Sequence, residues 1–307
     1  MKYDMMRVLV TGGAGFIGSH VIEDLAKYDD VRVVCLDNFS TGKASNIVAS
    51  CGAEVIHGDI RNKFDVRYAM DGVTHVIHLA AQVSVPASIE DPVESAEHNI
   101  TGFLNVLDTA RKAKVKKFVY ASSAAVYGSL TNMPLTETLT APISPYGMEK
   151  LINEKYAILY HELYHLQSFG LRFFNVYGPR QDPASPYSGV ISKFMSSIKE
   201  HMPITIYGDG EQTRDFVYVS DVAKSIFHAL KLKETGICNI CRNHQISLNE
   251  LVTVISKIAG FKPQIIYKPA RAGDIKFSVG NKAFSRDLDF FNPTDIKTGL
   301  ELLYNYK

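Results

Sequence analysis

The chain has 307 residues, enough for one large or two small domains around a packed core. Its formal net charge of +1 leaves no overall electrostatic footprint for nucleic acid or an anionic membrane. No apolar stretch reaches transmembrane length, the start lacks a signal-peptide core, and four cysteines in a chain this long do not suggest a disulfide framework.

A short apolar, β-branched run at 7–11 leads directly into Gly12-Gly-Ala-Gly15-Phe-Ile-Gly18, where a helical pattern begins (Phe16, Ile17, Val21, Ile22, Leu25). Strand, glycine-rich turn and helix are the context a dinucleotide fingerprint requires. Gly12 permits the tight turn, Gly15 lets backbone approach a pyrophosphate, and Gly18 allows close helix–sheet packing. The helix amino terminus then offers N–H groups and a positive dipole end to the phosphates. The spacing is Gly-x-x-Gly-x-x-Gly rather than Gly-x-Gly-x-x-Gly. A second apolar strand at 31–36 ends in Asp37, about where a ribose-binding carboxylate is expected. No Arg or Lys flanks Asp37 closely, which favours NAD over NADP.

Further strands are predicted at 54–57, 74–79, 117–122 and 169–175, and helices near 16–28, 63–70, 93–113 and 146–166. This alternation implies crossover units, hence an α/β fold with a Rossmann-type doubly wound parallel sheet. The basic run from Arg111 to Lys117 lies between a helix and a strand and reads as a solvated connection. After about residue 176 the texture changes to more Pro, Gly and Tyr with short strands at 204–207, 237–240 and 264–267. The expected division is therefore a cofactor domain at 1–175 and a smaller C-terminal α/β substrate domain at 176–307, with about 214–233 returning to the first. Cys238 and Cys241 have C-x-x-C spacing but no second pair, and His161 and His165 have no obvious third ligand, so neither predicts a metal site. The expectation is a cytoplasmic, metal-free protein.

The chemistry-bearing residues come next. The strand at 117–122 runs into Ser122 and Ser123, which in an open parallel sheet project toward the cofactor end. Tyr146 and Lys150 stand i and i+4 on a helix, one above the other. A phenol of pKa about 10 is a poor base at neutral pH, and a neighbouring ammonium favours its phenolate. The pair predicts a proton-transfer group tuned toward pH 7. With Ser123 it supplies a hydroxyl donor, a proton acceptor and a cation, a set suited to hydride transfer at a carbinol carbon.

A series of ordered stretches carries a family resemblance: Thr11-Gly-Gly-Ala-Gly-Phe-Ile-Gly-Ser-His20, Asp37-Asn-Phe-Ser-Thr-Gly42, Gly58-Asp-Ile60, His78-Leu-Ala-Ala-Gln82 and Asn99-Ile-Thr-Gly102. They continue with Ser122-Ser-Ala-Ala-Val-Tyr-Gly128, Ser144-Pro-Tyr-Gly147 with Lys150, Leu171-Arg-Phe-Phe-Asn-Val-Tyr-Gly-Pro-Arg180, Gly208-Asp-Gly210, Arg214-Asp-Phe216 and Arg271-Ala-Gly-Asp274. Over essentially its full length the chain resembles the extended short-chain dehydrogenase/reductases, and within them the nucleotide-sugar 4-epimerases of the UDP-glucose/UDP-N-acetylglucosamine type. The resemblance implies NAD as cofactor, its adenosine half held by Gly12, Gly15, Gly18, Asp37 and Asn38, with Asp59 and Ile60 near the adenine. Phe16, Ile17, Ser40, Thr41 and Gly42 belong to the same implied cofactor-binding set. Leu79, Ala80, Ala81, Gln82 and Asn99 would line the cofactor, and Lys150 would reach the nicotinamide ribose. Ser123 and Tyr146 would contact the sugar O4, and Asn175, Arg214 and Arg271 would face the nucleotide diphosphate, for which guanidinium groups are suited. Asp274 and Ser278 complete the implied substrate set.

The implied reaction has Tyr146 phenolate take the O4 proton as C4 gives hydride to NAD⁺. The 4-keto sugar then turns about its diphosphate linkage, and hydride and proton return to the other face. The related 4,6-dehydratases carry Asp-Glu after the catalytic Ser/Thr, where this chain has Ala124-Ala125, and neither alanine can transfer a proton. A uronic-acid epimerase or decarboxylase, a reductase, and a non-catalytic NAD sensor remain as alternatives. In the family, the residue four after the Asp of Arg-x-Gly-Asp limits room beside the C2 substituent, and here it is Ser278, a small residue that would admit N-acetyl groups. The resemblance also implies a homodimer, formed by the helices at about 93–113 and 146–166 as a four-helix bundle.

Overall fold

A computed structural model describes residues 5–47, 51–185, 189–270, 275–282 and 293–306. Two compact units emerge, and neither is a single run of chain. The first takes in the chain up to Gly128, Thr140–Arg172 and Val222–Cys238; the second takes Ser129–Leu139, Phe173–Asp221 and the chain from Asn239 onward.

The first six strands are β1 (Met6–Thr11), β2 (Val31–Asp37), β3 (Glu54–His57), β4 (His75–His78), β5 (Lys117–Ser123) and β6 (Ser168–Phe173). After them come β7 (Asn175–Tyr177), β8 (Ile204–Tyr207), β9 (Thr213–Tyr218) and β10 (Gly236–Ile240). One seven-stranded sheet has the order β10-β6-β5-β4-β1-β2-β3. The pairs β1/β2, β1/β4, β2/β3 and β4/β5 are parallel. Val8, Leu9 and Val10 are fully buried, as expected of a continuous apolar run in a strand covered on both faces. Because β1 is flanked by β2 and β4, the strand order reverses there, and the carboxyl ends of β1 and β4 form the crevice where such sheets bind ligands.

Helices α1 (Phe16–Leu25), α2 (Lys63–Ala69), α3 (Val85–Glu90), α4 (Pro92–Ala96), α5 (Gly102–Lys112) and α6 (Pro145–Tyr164) follow in chain order within the first unit. Its core holds Leu9, Val34, Val76, Phe103, Val106 and Phe118, with the Phe103 and Phe118 rings edge-to-face at 5.8 Å. Truncating either ring to Ala would cost about 3–5 kcal/mol. α6 begins where Ser144 accepts a hydrogen bond from the Gly147 N–H at 3.1 Å and Pro145 occupies the first helical position. It ends at His165, which takes the left-handed conformation (φ 57°). Its buried face is polar, carrying Tyr146, Glu149, Lys150, Asn153 and Glu154.

The second unit contains a three-stranded sheet in which β9 lies between β7 and β11 (Gln245–Ser247), and a parallel pair of β8 with β12 (Ile265–Lys268). Helices α7 (Val190–Lys199) and α9 (Leu248–Ala259) contribute to its core, which includes Ile191, Phe194, Phe216, Leu251, Ile255 and Leu300; α8 (Val219–Lys231) precedes β10. A reciprocal capping box between Ser247 and Glu250 starts α9, and Gly260 at φ 65° ends it.

Three elements depart from the sequence expectation. The predicted strand at 169–175 breaks at Phe174, whose N–H bonds Ile240 O at 3.1 Å, so β6 and β7 enter different sheets. The strand expected at 237–240 in the second domain is β10, beside β6 in the main sheet. The helix expected at 93–113 is α4, a π-helical segment at Glu97–Thr101, and α5. The segment that returns to the first unit is Val222–Cys238, where about 214–233 was expected. No described helix is long and apolar enough to cross a membrane, and among the described residues no group of His, Cys, Asp or Glu could hold a metal ion. Cys238 and Cys241 are buried.

Candidate active site

The glycine turn joins β1 to α1. Gly12 has φ +72°, and a Cβ there would come within 2.7 Å of Ala80 N, so the chain passes flush against the loop after β4. A Cβ on Gly18 would overlap the Gly12 carbonyl oxygen. Gly18 therefore serves contact between α1 and its own turn, which refines the helix–sheet role expected from sequence. Gly15 is the N-cap of α1 with no side-chain capping bond, so the first-turn N–H groups at Phe16 and Ile17 have no side-chain acceptor from the cap residue. That arrangement fits a pyrophosphate, whose oxygens and charge complete a helix amino terminus.

Asp37 closes this turn from β2. One carboxylate oxygen accepts from Ala14 N at 2.9 Å and the other from Phe39 N at 2.8 Å. Asn38 accepts from Ser40 N at 3.0 Å, and the Asn46 side chain donates to Ala14 O at 2.8 Å, so the loop carrying Ser40, Thr41 and Gly42 is drawn over the glycines. Asn38 also donates to Asp59 at 3.0 Å, and Arg61 pairs with the same carboxylate at 2.8 Å. These donors hold Asp59 well below the usual carboxylate range, against the opposing effect of its partial burial. Ile60 is buried in the core beneath, and its carbonyl accepts from Asn105 at 3.0 Å.

At the end of β4, Thr11 and His78 are register partners. The Thr11 hydroxyl accepts from Ala80 N at 3.3 Å and lies 2.9 Å from His78 Nδ1. Burial, followed by the charge of Lys150, pushes His78 down to about 3, so its ring is neutral. Downstream of Leu79, Ala80 and Ala81, Gln82 is held by Asn99 through two bonds of 2.9 Å: Gln82 N to Asn99 Oδ1, and Asn99 Nδ2 to Gln82 O.

Ser123 ends β5, and Tyr146 and Lys150 lie on the buried face of α6, so the first unit brings together the three residues singled out from sequence. The Tyr146 N–H is held by Ser88 Oγ at 3.1 Å. Lys150 Nζ donates to Ala121 O at 3.2 Å and lies 5.7 Å from the Tyr146 ring centroid. The sequence expectation of a phenol tuned down toward neutrality by this ammonium is corrected here. Burial raises the Tyr146 pKa above its ordinary value; a hydrogen bond from Ser123 works against burial, and Glu149 works with it. Burial also pushes Lys150 down to about 8, with Glu149 opposing. A cationic nicotinamide, when bound, is the group that would draw such a phenol toward its phenolate.

Several neighbours of this set were not singled out from sequence. Glu154 continues the series Tyr146, Lys150, Glu154 at i, i+4 and i+8, a signal that was legible. It accepts two bonds of 2.8 Å from Arg172, which also donates to the Tyr127 hydroxyl at 3.0 Å, and Ser122 donates to Glu154 at 2.5 Å. The pair is almost wholly excluded from water and clamps α6 to β6. Glu149, Ser88, and the Thr11–His78 contact give no local signal, because each depends on which elements become neighbours.

The second unit carries the remaining expected residues. Asn175 begins β7 and donates to Asp215 O at 3.2 Å; Arg214, on β9, donates to Thr213 O at 2.9 Å. Ser278 is buried within a segment fixed on both sides, with Lys276 O accepting from Thr213 N at 2.9 Å and Gly280 N donating to Asp215 at 3.3 Å. Arg271 and Asp274 lie outside the described residues.

Comparison with known proteins agrees with this geometry. Residues 8–241 match the model of the family described as NAD dependent epimerase/dehydratase. The chain is 40% identical over 302 residues to a putative UDP-glucose 4-epimerase of Methanocaldococcus jannaschii, covering 97% of each. A UDP-N-acetylglucosamine 4-epimerase from Methanobrevibacter ruminantium, solved with UDP-N-acetylmuramic acid, superposes with a TM-score of 0.94 at 36% identity over 98% of both chains. The UDP-glucose 4-epimerase of Thermus thermophilus, solved with NAD, gives 0.91 at 37% identity, again over 98% of both. On this family match over most of its length and on full-length relatives of this kind, the chain belongs to the NAD dependent epimerase/dehydratase family.

Proposed function

We propose that this chain is a nucleotide-sugar 4-epimerase acting on UDP-glucose/UDP-galactose and also on UDP-N-acetylglucosamine/UDP-N-acetylgalactosamine. One observation carries the reading: Ser123 and Tyr146 converge with Lys150 at the carboxyl ends of the strands, and the residues following Ser123 are alanines. Without an acid–base pair at Ala124 and Ala125, the chemistry is confined to one proton and one hydride at a single carbon. Bound NAD supplies the acceptor and later the donor of that hydride.

The chain's own residues do the rest. Ser123 Oγ accepts from Ala125 N at 3.1 Å, which leaves its proton for the oxygen shared with Tyr146. Tyr146 removes the O4 proton and returns it after the 4-keto sugar has presented its other face. Lys150 holds positive charge beside the phenol and, through Ala121 O, stays fixed to the end of β5. Gly12, Gly15, Gly18, Asp37, Asn38 and the 80–82 loop hold the cofactor. Asn175 and Arg214, together with Arg271, are assigned to the nucleotide diphosphate.

Ser278 is assigned to the C2 side of the sugar, where a small side chain admits an acetamido group. Purified protein mixed with UDP-galactose, without added NAD, is expected to yield UDP-glucose, and the acetylated pair is expected to interconvert as well. No product even with NAD supplied sinks the epimerase reading in favour of an NAD sensor. Turnover of UDP-uronic acids alone would move the assignment to that substrate class. The reading also includes a homodimer through α5 and α6, supported by Ile158, Leu159, Leu163 and Tyr164 lying exposed on α6. Light scattering that finds only monomer at micromolar concentration would remove that part.

A further inference from the structure

Glu149 is 3% exposed, on the same helix as the proton-transfer pair, one residue before Lys150 and three after Tyr146. A carboxylate taken out of water this far persists only if hydrogen-bonded and compensated by charge. Both conditions are met. Its Oε2 accepts from Asn99 Nδ2 at 2.6 Å and from Ser95 Oγ at 2.9 Å. Asn99 in turn holds the Gln82 backbone through its two 2.9 Å bonds, and the Gln82 side chain donates to Ser84 O at 3.1 Å. A continuous chain of bonds thus runs from α6 through the π-helical segment to the loop assigned to the cofactor.

We propose that Glu149 is a positioning residue for the reaction: it locks the proton-transfer helix to the 80–82 loop through Asn99, and it places a fixed negative charge beside Tyr146 and Lys150. The inference rests on the function proposed above. The groups that act electrostatically on the pair are few. Ser123 on β5 and Glu149 act on the phenol, Glu149 acts on Lys150, and His78 on β4, which faces Lys150, is neutral. Counting Glu149, the ammonium, the phenolate and a nicotinamide cation, the site is neutral both before and after proton and hydride leave the sugar. Without Glu149 it would carry one uncompensated positive charge in a buried place. Glu149 opposes phenolate formation and favours the ammonium, so it raises both titrations together.

The test separates charge from shape. Glu149→Gln keeps an oxygen acceptor for Asn99 and Ser95 and removes the charge; Glu149→Leu removes both. Phenolate absorbance of the protein is titrated, with Tyr146→Phe as the blank that isolates Tyr146. Glu149→Gln is expected to lower that titration by about one pH unit and move the acid limb of kcat/KM the same way, while NAD stays bound through gel filtration. Glu149→Leu is expected to weaken NAD retention about 10-fold or more. An unshifted titration in Glu149→Gln overturns the proposal, as does parent-like NAD retention in Glu149→Leu. Should Glu149→Leu fail to fold, the Glu149→Gln titration decides alone. The titration needs no substrate, so absence of epimerisation in the parent would count against the proposed function and not against the role of Glu149.

Discussion

The two units treat their candidate residues differently. In the first, several expected site residues are tied to other segments: Asp37 to Ala14 N, Asn99 to the Gln82 backbone, Lys150 to Ala121 O, and the Tyr146 N–H to the Ser88 hydroxyl. In the second, Asn175 donates to Asp215 O on the neighbouring strand, Arg214 donates to the carbonyl of Thr213, and Ser278 sits in a segment held from either side. On the proposed function, proton and hydride transfer need groups placed within fractions of an ångström, which such ties help secure. On the same reading, the second unit's residues serve recognition of the sugar nucleotide. The consequence is that changes in the first unit should be felt in rate and stability, and changes in the second in substrate affinity and choice.

Tyr146→Phe tests the contrast most severely. It should lower kcat about 10²–10⁴-fold or more with little change in melting temperature, because only a hydroxyl is lost. Retention of a tenth of parent activity would detach the chemistry from the first unit. Next is the clamp behind it. Glu154→Gln leaves Arg172 buried without its counter-charge and should cost about 3–5 kcal/mol in denaturant unfolding, whereas a double change of Glu154 and Arg172 to leucine should cost less. Equal losses in the two would show that the ion pair is not what is being broken.

In the second unit, Arg214→Ala should raise KM about 10-fold or more and leave kcat and stability near the parent's, as expected for a lost charge-assisted contact to phosphate. A fall in kcat alone would erase the distinction between the units. Ser278→Tyr should remove turnover of the acetylated substrates before that of UDP-glucose, read as a change in the ratio of kcat/KM values. The gentlest probe is acid. Burial pushes His75 down to about 4 and His78 to about 3, while in the unfolded chain both titrate near 6.5. Between those values the unfolded chain binds protons that the folded chain refuses. Stability is therefore fully present above about pH 6.5 and falls as pH drops, by up to about 1.4 kcal/mol per pH unit per histidine. Unfolding free energies that stay flat from pH 7 to pH 4.5 would contradict the assigned environments.

Much of this was legible in the chain. The alternation of apolar runs with helical patterns gave the sheet, the glycines gave the turn, and Tyr146, Lys150 and Ser123 came from spacing and strand position. What escaped has a common cause. A strand at 169–175 looks continuous because Phe173 and Phe174 are both apolar, yet one ends β6 and the other bonds β10. The place of β10 beside β6, and of Glu149 beside Asn99, follows from pairing between residues far apart in the chain, which periodicity does not encode. The direction of the Tyr146 shift failed for a related reason. Spacing reports that a cation is near a phenol, but not that both are buried, and burial is the largest influence on the phenol.

The π-helical segment at Glu97–Thr101 has a consequence of its own. One wide turn acts as a phase shifter: each residue of an ordinary helix advances the side chains by about 100°, so an extra residue rotates α5 relative to α4 by that amount. Asn99 faces Gln82 and Glu149 from within the wide turn, while the core aromatics of α5 keep their own phase. Deleting a single residue there would leave a smooth, unbroken helix and put the molecule out of tune, with the core and the cofactor loop each claiming the same stretch of surface.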